Sequence, residues 1–254
     1  MIRQSFIFLP GCTPLREQKF WAAGIKDWST FRHSTKIKGI NPTRKILYDT
    51  LLQQADQALQ QGNSEYFNNK LPSIHSWRLY DEFRDQVCFL DIETDSKSLV
   101  TVVGISNYYQ TNQFVRGINL SSQVLRKELA KYNLLVTFNG ASFDLPILRK
   151  EYHLQIAMPH IDLKPLCAQL DLNGGLKEVE RILNLKRPPH LYGNPIDLWK
   201  AFHASGDKEY LDLLLAYNAE DIENLKGVME YVYKQKTMVL QGVLSSSSIE
   251  KQKV

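Results

Sequence analysis

Long apolar runs are missing from this chain: no stretch of about 18 consecutive apolar residues occurs, so no segment is suited to cross a bilayer as a helix. Cysteine is scarce. Cys12, Cys88 and Cys167 are an odd, scattered set with no CxxC pair, which excludes a disulfide framework and fits a reducing compartment. The 6 histidines share no metal-ligand spacing with any cysteine, so a zinc site is not expected. The opening stretch, residues 1–10, is too short and lacks the small-residue cleavage site of a secretory leader, so a cytoplasmic protein is expected. A strong charge of one sign is lacking too, since the net charge is only +4.

What charge there is lies unevenly. Residues 1–85 carry 12 Lys/Arg against 8 Asp/Glu, whereas residues 86–234 carry 16 against 18. A polyanion would be drawn chiefly to the N-terminal part. The hydrophobic share, 43% of 254 residues, is enough for a sizeable core.

Helical apolar spacing is read over 16–24 and over 42–61, the second with Ile46, Leu47, Thr50, Leu51 and Leu59. Gln61-Gly62-Asn63-Ser64 ends that helix, so 1–64 reads as a small helical element. Residues 65–85 hold Tyr66, Phe67, Trp77, Tyr80 and Phe83 around Pro72, and so many large rings predict an ordered connecting strap rather than a loose linker. From Gln86 the pattern changes to strands at 87–90, 101–109 and 113–118, the three antiparallel because their connections are short. A helix follows over 121–132 behind a serine cap, then a strand over 134–138 and a helix over 143–152 with Pro146 in its first turn. Beyond His160-Ile161-Asp162 the chain reads as mostly helical, interrupted at Gly174-Gly175, Pro188-Pro189, Gly193-Asn194-Pro195 and Gly206. The fold class is therefore α/β: a mixed sheet, three antiparallel strands and then alternating helix and strand, flanked by helices over 86–234. Residues 235–254, with Ser245 to Ser248, read as a disordered tail.

Five residues carry the chemistry. Asp91 and Glu93 close the first strand and, two apart in extended chain, share one face. Paired carboxylates beside an apolar strand repel and are costly to bury unless a hard divalent cation compensates. Taken alone, the pair is more readily a solvated strand end than a metal site. Asp144 follows the turn Asn139-Gly140-Ala141-Ser142-Phe143 and stands in the first turn of a helix, over the strand ends where open α/β sheets bind ligands. Favourable interaction with the helix dipole is its bland alternative. Tyr217 and Asp221, four apart in a helical segment, lie on one face, and Lys226 is the surface partner Asp221 would have if it faced solvent.

The ordered set resembles the ribonuclease-H-like DEDD superfamily. Phe89-Leu90-Asp91-Ile92-Glu93-Thr94 is similar to its first exonuclease motif, and Phe138-Asn139-Gly140-Ala141-Ser142-Phe143-Asp144 to its second. Tyr217-Asn218-Ala219-Glu220-Asp221 is similar to the third in its tyrosine (DEDDy) form, and residues 136–148 and 160–166 most resemble YprB-like predicted exonucleases. The resemblance implies a 3′–5′ exonuclease in which Asp91, Glu93, Asp144 and Asp221 hold two Mg²⁺ or Mn²⁺ ions and Tyr217 orients the attacking water. Two ions roughly 3.5–4 Å apart can activate a water on one side of a phosphodiester and stabilise the leaving oxygen on the other. The implied partner is DNA or RNA, single-stranded or with a free 3′ end, with Thr94 and Asn139 as candidate contacts to its terminal nucleotide. Asp95-Ser96-Lys97 stands where relatives often carry a glycine, which makes the neighbouring loop a departure. His160 and Asp162 are expected to hydrogen-bond the sheet end to the next helix.

Residues 8–25, with Pro10-Gly11-Cys12-Thr13 before a helix, resemble a degenerate helix-hairpin-helix element, Thr13 standing where a second glycine is usual. A phosphate-binding hairpin and a plain packing element are its two readings. For the whole chain, the competing readings are a structure-specific endonuclease on the same fold and a catalytically silent nucleic-acid-binding module.

Overall fold

A computed structural model of the chain describes residues 1–188 and 194–249. The expected breaks at Pro189 and Gly193 lie outside the described residues. The chain divides into two compact units, one formed by Met1–Arg84 with Tyr233–Val254 and the other by Asp85–Val232. No helix among the described residues is long and apolar enough to cross a membrane.

The first unit is built on aromatic side chains. Helices α1 (Pro14–Ala22), α2 (Trp28–His33) and α3 (Pro42–Gln60) begin at Thr13, Asp27 and Asn41, each of whose side chains accepts a backbone N–H of the first turn. Phe6, Phe20 and Phe31 meet with ring centroids 5.4–5.5 Å apart, and the Tyr48 hydroxyl donates to the Pro10 carbonyl at 2.6 Å. The buried face of α3 is Tyr48, Leu52, Ala55 and Leu59. The apolar stripe expected there holds at Leu59 but fails at its start: Ile46 and Leu47 are 68% and 47% exposed, because the ring of Tyr48 takes the core position. Glu17 is buried and accepts from the Phe6 and Ile7 amides at 2.6 and 3.1 Å and from Arg78 Nη1 at 2.8 Å. Short 3₁₀ turns at Ser64–Phe67, Ser73–Leu79 and Arg84–Gln86 make up most of the stretch between α3 and the sheet, and Phe67, Trp77, Tyr80 and Phe83 in it are buried.

The second unit is a five-stranded mixed sheet. Its strands are β1 (Val87–Thr94), β2 (Val100–Ser106), β3 (Thr111–Val115), β4 (Leu134–Thr137) and β5 (His160–Asp162), in the spatial order β3-β2-β1-β4-β5. β1 pairs antiparallel with β2, and β2 with β3, whereas β4 runs parallel to both β1 and β5. Helix α4 (Ser122–Leu129), capped by Ser121, and helix α5 (Asp144–Tyr152) supply the connections that parallel pairing demands. β5 is three residues long, too short for periodicity to announce it.

Alternation along β1 sorts its side chains. Cys88, Leu90 and Ile92 enter a core with Leu125, Leu129 and Leu148. The intervening residues, Asp91 and Glu93 among them, take the other face, where Asp91 lies opposite Gly104 and Glu93 opposite Val102. On that face Val102 packs with Val115, Trp199, Leu211 and Leu214. Two further helices, α6 (Leu163–Ala168) and α7 (Leu176–Ile182), precede α8 (Pro195–Ser205) and α9 (Lys208–Ile249).

α9 corrects the expected tail. The segment from 235, read as disordered from its Ser, Lys and Gln content, is helical as far as Ile249, and Leu240 and Leu244, one turn apart, are buried. Residues 250–254 lie outside the described residues.

Candidate active site: three carboxylates and a buried arginine

α9 can lie close against the sheet because Gly104 has no side chain. A Cβ there would collide with Asn218 Oδ1 and with the Ile222 side chain. Asn218, fully buried, uses the space: its Nδ2 donates to Asp91 Oδ2 at 3.0 Å, and its Oδ1 accepts from Gln113 Nε2 at 3.0 Å. The same helix face carries Asp221 one turn on. Carboxylate oxygens of Asp91, Glu93 and Asp221 lie within 4.8 Å of one another. The structure thus brings together three of the four expected ligands.

Asp144 adjoins this group without being one of the three. It is buried at the start of α5, and its Oδ1 accepts the Ile92 amide of β1 at 3.2 Å, so it faces the strand between the two other acids. The loop before it is held by Asp162, which accepts from the Asn139 amide at 2.7 Å, from Ala141 at 3.1 Å and, as the cap of α6, from Lys164 at 3.1 Å. Asn139 takes a positive φ of 65°, which asparagine tolerates better than most residues. The Thr137 hydroxyl bonds His160 Nε2 at 2.8 Å and accepts the Gly140 amide at 3.1 Å. Thr94, half-buried at the end of β1, follows a register shift between Glu93 and Thr94. The departing loop at Asp95 is closed by that residue, whose carboxylate accepts from the Lys97 and Leu99 amides and pairs with Arg116 at 2.7 Å.

The acids are crowded and poorly solvated. Burial, then Glu93, Asp144 and Asp221, pushes Asp91 well above the usual carboxylate range, against the Asn218 hydrogen bond. Burial, then Asp221, raises Glu93 to about 8, with Lys177 and Arg187 opposing. Burial raises Asp144 to about 7. Asp221 is raised by burial as well, although the Arg187 guanidinium offsets part of the effect. A set of hard oxygen donors that resists ionisation until a positive charge arrives fits a divalent cation such as Mg²⁺ or Mn²⁺.

Two cations beside these acids were not foreseen from the sequence. Arg187 bonds Asp221 and, through Nε and Nη2, holds Glu180 at 3.1 and 2.8 Å. Its guanidinium carbon lies 5.3 Å from the Tyr217 ring centroid, and Lys177 Nζ lies 4.6 Å from the same centroid. Tyr217 is buried, and burial raises its phenol while the Lys177 hydrogen bond lowers it. Lys226 pairs with Glu223 at 2.5 Å, which leaves Asp221 to the site. Arg187 and Lys177 belong to no local motif, so no sequence signal marked them.

A family model of the RNase_H superfamily matches residues 88–233. No curated protein matches the chain. Among solved structures, the family B DNA polymerase from the hyperthermophilic archaeon Pyrobaculum calidifontis is similar at 14% identity and a TM-score of 0.47, over 57% of this chain and 24% of the polymerase. The chain therefore spans about a quarter of that polymerase's length. The family match runs from β1, which bears Asp91 and Glu93, through α5 to the part of α9 that bears Asp221, and on it the chain belongs to the RNase H superfamily.

Proposed function

We propose that the protein is a metal-dependent nuclease that removes nucleotides from the 3′ end of DNA or RNA, of the tyrosine (DEDDy) branch and most like the YprB-like exonucleases. One observation carries the reading. Asp221, far along the chain, joins Asp91 and Glu93 within 4.8 Å, with Tyr217 one turn before it on the same helix.

Asp91, Glu93 and Asp221, with Asp144 adjoining, would hold the cations, Mg²⁺ or Mn²⁺. Bound there, divalent metal supplies Lewis acidity toward a phosphodiester and lowers the pKa of water at neutral pH. The protein does the positioning. Asn218 fixes the rotamer of Asp91 through Oδ2. Tyr217, its phenol pushed up by burial, stays protonated at neutral pH, so it orients the attacking water by a hydrogen bond and does not remove its proton. Lys177, beside the Tyr217 ring, steadies that hydroxyl. Thr94 and Asn139, at the rim formed by β1 and the loop before α5, would contact the terminal nucleotide.

The test is incubation of 5′-labelled single-stranded and duplex DNA and RNA with Mg²⁺ or Mn²⁺, beside Asp91→Ala. A ladder of shortening products that Asp91→Ala abolishes is the expected result. A single internal cut would turn the assignment to an endonuclease. Cleavage unaltered by Asp91→Ala, or none at all, would overturn the catalytic reading.

A further inference from the structure

Arg187 is placed where a charge matters most and is not fully satisfied there. Its side chain is 7% exposed, between Glu180 at 4% and Asp221 at 14%. Nε and Nη2 are engaged, but Nη1 is buried and finds no acceptor among the described residues. A buried guanidinium donor without an acceptor is unfavourable, and a structural ion pair would be expected to satisfy it. Glu180 neutralises one unit of charge on its own, so the contact to Asp221 is additional. That contact sets a positive charge on an oxygen of the three-carboxylate group.

We propose that Arg187 is a mobile counter-cation that changes partner during the catalytic cycle: it neutralises Asp221 in the metal-free protein, and gives Asp221 up to metal to bind a phosphate of the strand. The proposal rests on the metal-site reading above. Glu180 is the pivot, because its two bonds to Nε and Nη2 survive the exchange. Like charges repel at short range in a poorly solvated recess, so a divalent cation on Asp221 drives the guanidinium off. The arginine then presents Nη1 and the freed Nη2 donor, the two-pronged geometry that suits phosphate oxygens. The exchange places a cation on Asp221 at every stage and supplies the acceptor that Nη1 lacks.

The experiment compares the full chain with Arg187→Gln, Arg187→Lys and the charge-balanced double variant Glu180→Gln/Arg187→Gln, which guards against misfolding from a stranded Glu180. Asp91→Asn is the control for the site itself. Mn²⁺ affinity is read by titration calorimetry. Binding of a labelled single strand is read by anisotropy in Ca²⁺ under conditions where the label shows no shortening. Arg187→Gln and the double variant should bind Mn²⁺ about fivefold or more tighter than the parent, with Arg187→Lys between. Their strand affinity should fall about tenfold, and the slope of log affinity against log salt should flatten by about 0.7, the loss of one phosphate contact. Folded variants whose Mn²⁺ affinity is unchanged or weaker would overturn the counter-cation role. An unchanged salt slope would overturn the phosphate role. Should the parent show no Mn²⁺ binding that Asp91→Asn removes, the metal-site reading itself fails, which is a different result.

Discussion

Asn218 and Asp91 are joined by a 3.0 Å hydrogen bond between the amide of one and the carboxylate of the other, a link from α9 to β1 across the face of the sheet. It exists because β2 offers Gly104 beneath it, with no Cβ between. The first motif and the third are therefore held in register by Asn218 and Gly104, neither of which is itself expected to touch metal.

Gly104→Ala should accordingly destabilise the second unit by about 1–3 kcal/mol, the usual cost of forcing extra volume into a packed interior. Activity should fall further than stability accounts for, because the displaced group is Asn218. Urea unfolding followed beside cleavage rate checks both. An alanine variant as stable and as active as the parent would show that α9 does not need this approach.

Tyr217→Phe removes only the hydroxyl. Cleavage should drop about 10²-fold, the order lost when a reacting group is no longer well placed, while Mn²⁺ affinity stays near the parent value. Single-turnover rates and calorimetry separate the two effects. A rate within a factor of about two of the parent would remove the tyrosine from the mechanism.

The raised carboxylates make the metal-free protein sensitive to alkali. Unfolded Asp and Glu titrate near 4, but Glu93 does so at about 8 and Asp144 at about 7 in the folded chain. Between those values the native state binds more protons than the unfolded one, so stability is full at acid pH and is lost as pH rises through the folded values. His75 and His160, lowered to about 4, act in the opposite sense but only below about 6.5. In EDTA the melting temperature should therefore fall between pH 6.5 and 8.5, by less in Glu93→Gln and by less again with Mn²⁺. A flat profile in all three would show that the acids are not crowded as described.

Asp162 secures the loop that delivers Asp144. Asp162→Ala removes the acceptor of the part-buried amides of Asn139, Ala141 and Lys164, at a total cost of about 1–3 kcal/mol, because water can reach part of what is lost. Hydrogen exchange at those amides should quicken and cleavage should weaken. Protection equal to the parent's would mean that the loop holds itself.

How legible this was depended on range. Asp91 and Glu93 could be placed because an apolar run ending in DxE is a local pattern, and strand alternation dictates that the two share a face. A serine cap at Ser121 or Ser122 could be read for the same reason, and Ser121 is the one that accepts the Val124 amide. Local patterns failed where a distant partner decides: Tyr48, not Ile46, enters the core of the first unit because Phe31 and Pro10 are waiting there. Arg187 and Lys177 reached the acids through tertiary folding alone. The serine-rich end misled because composition outweighed the spacing of Leu240 and Leu244.

The closeness of Asp91 to Asp221 also bears on how the protein is made. Asp91 and Glu93 stand on β1, Asp144 on α5 and Asp221 on α9, so nearly the whole second unit must leave the ribosome before they can meet. Ribosomes add roughly 5–20 residues per second, and for those seconds the nascent chain carries a strand end rich in acid with nothing to complete it. The three carboxylates therefore form a single group only after β1, the rest of the sheet and the Asp221 turn of α9 have all emerged and folded together.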